Sequence, residues 1–268
     1  MDLKKYWEGR AESGTWSTRR LYDGPLNAHN YNFVARREGV RELLEAHGQV
    51  GKILDVGCGT GDYFELATQM GASYHGVDFA WRMLREAAAR VEDHGRRHLF
   101  VTAAGARLPY ADGTFDVVLA IGYIEYFADP TPPLQEIARV LKPGGLLIMQ
   151  SFKPDLFCTL NRGLARVRRV CRRVATRGRR GRGGLKPTLY TRRGLDRVVS
   201  AFGFVPVDHR FKNFWVCPRF LQLKWPRAYI AFSEALDRAD SAIWSVLAVN
   251  YIGKYVLDGG QAARTEQP

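Results

Sequence analysis

The chain has little of what would tie a protein to a bilayer, a metal or the extracellular space. Across its 268 residues no apolar run approaches the roughly 20 needed to span a membrane. The N-terminus, Met1 to Glu8, lacks the apolar core of a signal peptide, which predicts a cytosolic location. Cysteine is scarce: Cys58, Cys158, Cys171 and Cys217 lie far apart without metal-type pairing, so reduced thiols and no metal site are expected. Acidic residues are missing from residues 162–182, which hold ten arginines. Setting that stretch aside leaves 30 basic against 27 acidic residues, so the formal charge of +13 describes a nearly neutral domain with one basic segment. A general polyanion-binding face is not implied. With 46% hydrophobic residues, the chain is expected to bury one full α/β core.

What is present is an alternation of short apolar runs and helical patterns. Phe33 to His47 places Val34, Val40, Leu43 and Leu44 at helical spacing, and a strand follows, ending at Asp55 to Gly57. A helix over Tyr63 to Met70, a strand Tyr74 to Asp78 and a helix from Trp81 to Val91 come next. His98 to Thr102 and Phe115 to Ile121 read as third and fourth strands. Pro130 to Leu141 is a helix stopped at Lys142-Pro143-Gly144-Gly145, and Leu146 to Met149 a fifth strand. Such alternation implies a parallel sheet covered on both faces, with ligands bound beyond the carboxyl ends of the strands.

Two of those strand ends carry chemistry. The first runs into Gly57-Cys58-Gly59-Thr60-Gly61, where side chains are removed as if something must approach the backbone. The spacing is G-x-G-x-G, not the G-x-G-x-x-G of a pyrophosphate-binding loop, and no Gly-Lys-Ser/Thr follows to make a P-loop. Asp55 before the loop and Asp62 after it would repel a pyrophosphate but suit a ligand carrying an ammonium or sulfonium group. Asp78, at the second strand end, could accept two hydrogen bonds from a ribose diol, cap the next helix, or do both.

Ile53 to Gly61 resembles motif I of the class I S-adenosylmethionine-dependent methyltransferases, nearest in flavour to the small-molecule branch that includes ubiquinone and menaquinone methyltransferases. Gly76-Val77-Asp78, Leu108 to Val118 and Arg139 to Gly145 are similar to that family's later motifs, in the family's order. The resemblance covers about residues 50–151. It implies a Rossmann-like α/β fold: a seven-stranded sheet with helices on both faces, an N-terminal helical lid and C-terminal helical insertions. It also implies S-adenosylmethionine as cofactor. Gly57, Cys58, Gly59 and Gly61 would pass under its methionine and ribose, and Asp55 would organise the loop. Asp78 would hold the ribose hydroxyls, Phe79 would cover one face of the adenine, Ile121 would belong to the cofactor site, and Arg36 would partner the cofactor carboxylate. Many relatives carry Gly-Asp-Ala where this chain has Ala103-Ala104-Gly105, so Ala104 cannot bond the adenine amine. Adenine is then expected to rest on Gly105 and Ala106.

The acceptor is expected above the fourth strand, Ile121 to Tyr126. Methyl transfer is largely alignment, and a base matters when the acceptor must lose a proton. Glu125 is the first catalytic candidate and Tyr123 the second, with His29, Tyr31 and His209 as flanking alternatives.

The expected organisation is a lid and first helix at 1–48 and a cofactor-binding core at 49–152. A basic insertion spans 153–190. The remaining core at 191–258 carries an apolar acceptor-side insert at 218–248, and 259–268 is a tail. Residues 160–182 pattern as a basic amphipathic helix: a solvated cover, a contact with anionic membrane or a phosphorylated substrate, or a nucleic-acid contact. The insert's apolar residues suggest either a pocket roof or a homodimer face. The leading expectation is methyl transfer to a small or lipid-like acceptor. An RNA methyltransferase and a non-catalytic membrane-associated module of the same fold are the alternatives.

Overall fold

The computed structural model describes residues 3–13, 22, 26–27, 30–91, 98–152, 187–214, 222, 224–238 and 244–258. The arginine-rich stretch 160–182, the tail 259–268, His29 and three of the cysteines lie outside the described residues, as does part of the 218–248 insert.

Helix α1 (Leu3–Glu12) precedes α2 (Tyr31–Glu45), and strand β1 (Lys52–Val56) leads through the glycine loop into α3 (Phe64–Gln69). β2 (Ser73–Asp78), α4 (Trp81–Val91), β3 (His98–Thr102), β4 (Phe115–Ile121), α5 (Thr131–Val140) and β5 (Leu141–Phe152) follow. The chain closes with α6 (Arg192–Ser200), β6 (Phe204–Phe214), α7 (Pro226–Arg238) and β7 (Ala248–Leu257). One seven-stranded sheet has the order β3-β2-β1-β4-β5-β7-β6.

Side chains alternate across a strand, so the central strands feed two cores. Val118, Ala120, Leu147 and Met149 pack with Leu134 and Ile137 of α5 and Leu195 and Val199 of α6. Val117, Leu119, Leu146 and Ile148 pack with Val40, Leu43 and Leu44 of α2 and Phe64 and Leu66 of α3. Burial on both faces is why these strands read as continuous apolar runs. The expectation of a parallel sheet holds for β1 to β5 and fails at β7, which pairs antiparallel with both β5 and β6. Strand patterning reports burial and carries no sign of direction.

Helix α2 is fixed to that late part of the sheet by charge. Lys212 of β6 is buried and paired with Glu42 of α2 (2.8 Å) and Asp237 of α7, and Lys254 of β7 donates to the Leu43 carbonyl at 3.0 Å. α1 buries no residue of its own and leans on α4 through Arg82 with Glu8 (3.5 Å) and Glu12 (2.7 Å). Among the described residues no helix is long and apolar enough to cross a membrane, and no cluster could hold a metal ion.

Candidate active site

β1 ends at Val56, and the chain turns through Gly57 at φ +72°, a left-handed conformation that glycine adopts without strain. The turn is tied to β2, because the Gly57 and Cys58 amides both donate to the Val77 carbonyl. Asp78 then spans the two strand ends: Oδ2 accepts from the Gly59 amide at 3.0 Å and Oδ1 from the Ala80 amide at 2.8 Å. Each carboxylate oxygen keeps a second lone pair, so capping the turn leaves room for two further hydroxyl donors. Burial raises the Asp78 carboxyl, and the amide bonds pull it back.

Asp55 is 2% exposed and accepts from the Tyr74 hydroxyl at 2.7 Å. Burial pushes its carboxyl up to about 7, with Asp62 and Asp78 adding to the rise. These three carboxylates and the buried Arg36 line one cavity of about 480 Å³. Burial works against the Arg36 charge, but Tyr63, Tyr22 and Asp62 offset it and hold the guanidinium protonated. One cation against three acids leaves the site short of positive charge, and a ligand bearing ammonium and sulfonium groups fits that deficit. The Cys58 thiol lines the cavity too, but burial and the neighbouring acids push its pKa far up, so it stays neutral and unreactive.

The rest of the cavity is apolar and aromatic. Leu3, Tyr6 and Trp7 of α1 face Phe33, Tyr126, Phe127 and Phe152, and Trp7 meets Tyr126 edge-on with ring centroids 5.8 Å apart. One pole of this wall carries amides. Asn32 Oδ1 accepts from Asn213 at 2.7 Å and from Asn250 at 3.0 Å, Asn250 accepts from Gln150 at 3.2 Å, and Asn213 accepts from the Tyr229 hydroxyl at 2.6 Å. Asn32 and Asn213 line the cavity, and Asn213 is a non-glycine residue at φ +59°. Strain of that kind, on the order of 1–3 kcal/mol, persists where the surroundings over-determine a residue, commonly at binding sites.

Of the residues expected at a cofactor site, Asp55, Gly57, Cys58, Gly59, Asp78, Phe79 and Ile121 come together on this cavity, and Arg36 joins them. Gly61, Gly105 and Ala106 are not among its lining residues. Gly61 instead packs toward α4 and β3, where an added Cβ would stand 3.3 Å from Ala87 and 3.6 Å from Phe100. Gly105 is covered by the Tyr123 ring, which itself lines the cavity. Glu125 sits behind the lining, 1% exposed, with no side-chain hydrogen-bond partner among the described residues and its pKa pushed up to about 7 by burial. Tyr31 packs edge-on against Tyr229, and His209 lies by Arg192 and Phe211; neither lines the cavity. The amide pole was not anticipated from the sequence. An asparagine shows no periodicity, and these come from α2, β6 and β7.

Fold and site together define a Rossmann-like methyltransferase architecture. Residues 54–149 match the family model described as a methyltransferase domain. The chain is 41% identical over 122 residues to a demethylmenaquinone methyltransferase of Thermus thermophilus, covering 44% of this chain and 54% of that one. It is 33% identical over 157 residues to a ubiquinone biosynthesis O-methyltransferase of Caulobacter sp. strain K31, covering 56% and 59% respectively. It therefore spans little more than half the length of these two relatives. The magnesium protoporphyrin IX methyltransferase of Synechocystis PCC 6803, solved with bound SAH, superposes with a TM-score of 0.63 at 16% identity, covering 95% of this chain and 97% of that one. Over residues 54–149 the chain therefore carries a methyltransferase domain.

Proposed function

We propose that this protein transfers a methyl group from S-adenosylmethionine to a small, largely apolar acceptor bearing an oxygen. The observation that carries the reading is the continuity of the cavity. The same space that touches Asp55, Gly59 and Asp78 at the ends of β1 and β2 also touches the aromatic wall and amide pole of α1, α2 and β6. A donor and an acceptor can therefore lie side by side without a barrier. The relatives named for demethylmenaquinone and for ubiquinone biosynthesis support an acceptor of this kind.

When bound, S-adenosylmethionine supplies a methyl carbon on a sulfonium that departs as a neutral thioether. The chain's part is then alignment and exclusion of water, which for well-oriented reactants is worth about 7–11 kcal/mol of barrier. Asp78 would hold the ribose diol with its two remaining lone pairs, and Asp55 and Asp62 would face the cationic end. Asn32 accepts both of these bonds on its carbonyl oxygen, which turns its amide nitrogen away from the network. That nitrogen would donate to an acceptor oxygen, while Trp7, Phe33 and Tyr126 would enclose an apolar body.

Calorimetry with S-adenosylhomocysteine tests the donor half. Micromolar binding is expected, with a loss of about 2–3 kcal/mol on Asp78→Ala, since two charge-assisted bonds disappear. No binding to the native chain, or equal binding by the variant, would refute the reading.

A further inference from the structure

The loop between β3 and β4 lacks a side chain able to bond a nucleobase at Ala104, yet a polar atom arrives there from another element. Tyr123 leaves the end of β4 and lays its ring over Gly57, where an added Cβ would stand 2.8 Å from Cδ2. Its phenol oxygen ends against Gly105, where an added Cβ would stand 1.4 Å away. Gly105 is thus the gap that the phenol occupies, and any side chain there would expel it. The hydroxyl is buried and has no hydrogen-bond partner among the described residues. Leaving such a group unsatisfied is costly, and native structures seldom do so without a ligand or water to take the bond. Tyr123 lines the same cavity as Asp78 and Phe79, which places its ring on the side where the β2 end would hold a ribose.

We propose that Tyr123 recognises the nucleobase of the cofactor, its phenol making the base-edge hydrogen bond that Ala104 cannot make, with Gly105 as the gap that admits it. The assignment rests on S-adenosylmethionine being the donor. It makes Tyr123 a specificity residue for the donor, not a base for the acceptor. Burial raises the phenol's pKa, so it stays neutral and can both donate and accept. A carboxylate accepts only and selects the adenine amine. A hydroxyl can reverse its bond, and it therefore tolerates a 6-oxo base.

The test is calorimetry with S-adenosylhomocysteine and S-inosylhomocysteine, and competition by the base-free S-ribosylhomocysteine, on the native chain, Tyr123→Phe and Gly105→Ala. The native chain should bind the adenosyl and inosyl ligands within about threefold, and Tyr123→Phe should weaken both about tenfold, as expected for one lost hydrogen bond. Gly105→Ala should reproduce that loss by displacing the phenol, and base-free competition should be the same in all three. Circular dichroism confirms that the variants are folded, and Tyr123→Phe, which keeps the ring, decides the matter if Gly105→Ala is not. The proposal is overturned if Tyr123→Phe binds S-adenosylhomocysteine as the native chain does. It is also overturned if the base-free ligand loses affinity equally, or if the native chain rejects the inosyl ligand. A native chain that binds no S-adenosylhomocysteine overturns the donor reading as well, which separates the two failures.

Discussion

Asp55 changes its charge within the physiological range, because burial among two other carboxylates pushes its pKa to about 7. Its unfolded value is about 4, so between pH 4 and 7 the folded protein holds a proton that the unfolded chain has released. The resulting stability is complete at the acid end of that window and is lost as pH rises through about 7. A cationic ligand prefers the ionised carboxylate and works in the opposite direction. Two results are expected. Affinity for S-adenosylmethionine should rise about tenfold between pH 6 and 8, and less for the sulfonium-free S-adenosylhomocysteine, as titration calorimetry would register. Asp55→Asn should flatten that dependence while stabilising the ligand-free protein above pH 7 by on the order of 1 kcal/mol in urea unfolding. A variant that is less stable than the native chain at pH 8 would show that Asp55 is needed for packing and not held under electrostatic strain.

At the scale of elements, helix α2 reaches the cavity with Asn32, Phe33 and Arg36 while its far end is held by Lys212 and Lys254. Lys212 is 3% exposed at its side chain, against about a quarter to a third for its partners Glu42 and Asp237. Lys212→Met would leave two carboxylates facing each other without their cation. Because those partners keep some water, about 2–3 kcal/mol of stability should be lost, below the range for a fully buried pair; an unchanged urea midpoint would refute the clamp. Legibility divides at the same boundary. β1, the glycine loop and Asp78 lie within 27 residues of one another, and their chemistry is written as local spacing. The amide pole joins residues 181 and 218 positions apart, and no pattern in one strand or helix announces it. Gly105 carries a different lesson. Its neighbours in sequence suggest a platform for a base, whereas a tyrosine just beyond the end of the next strand covers it.

Across the whole molecule, the cavity is assembled from a firmly packed half and a lightly attached cover. α1 supplies Leu3, Tyr6 and Trp7 to the lining but has no buried residue, and its ion pairs both run to the solvent-exposed Arg82, where water and salt screen them. Hydrogen exchange should therefore be fast over residues 3–12 in the ligand-free protein and slow markedly when S-adenosylhomocysteine is added. Equal exchange in both states would mean that α1 does not close over the ligand. The reversed direction of β7 has a consequence of another kind. Antiparallel neighbours can be joined by a two-residue turn, whereas parallel ones require a crossover of a dozen or more residues. β6 and β7 are antiparallel neighbours, yet residues 215–247 lie between them. Those 33 positions, which include α7 and the Tyr229 that holds Asn213, are surplus to what the sheet requires. The topology thus leaves the length of this connection unconstrained by the sheet: apart from Tyr229 and Asp237, which hold Asn213 and Lys212, it can change while the strands that carry the glycine loop and Asp78 keep their register.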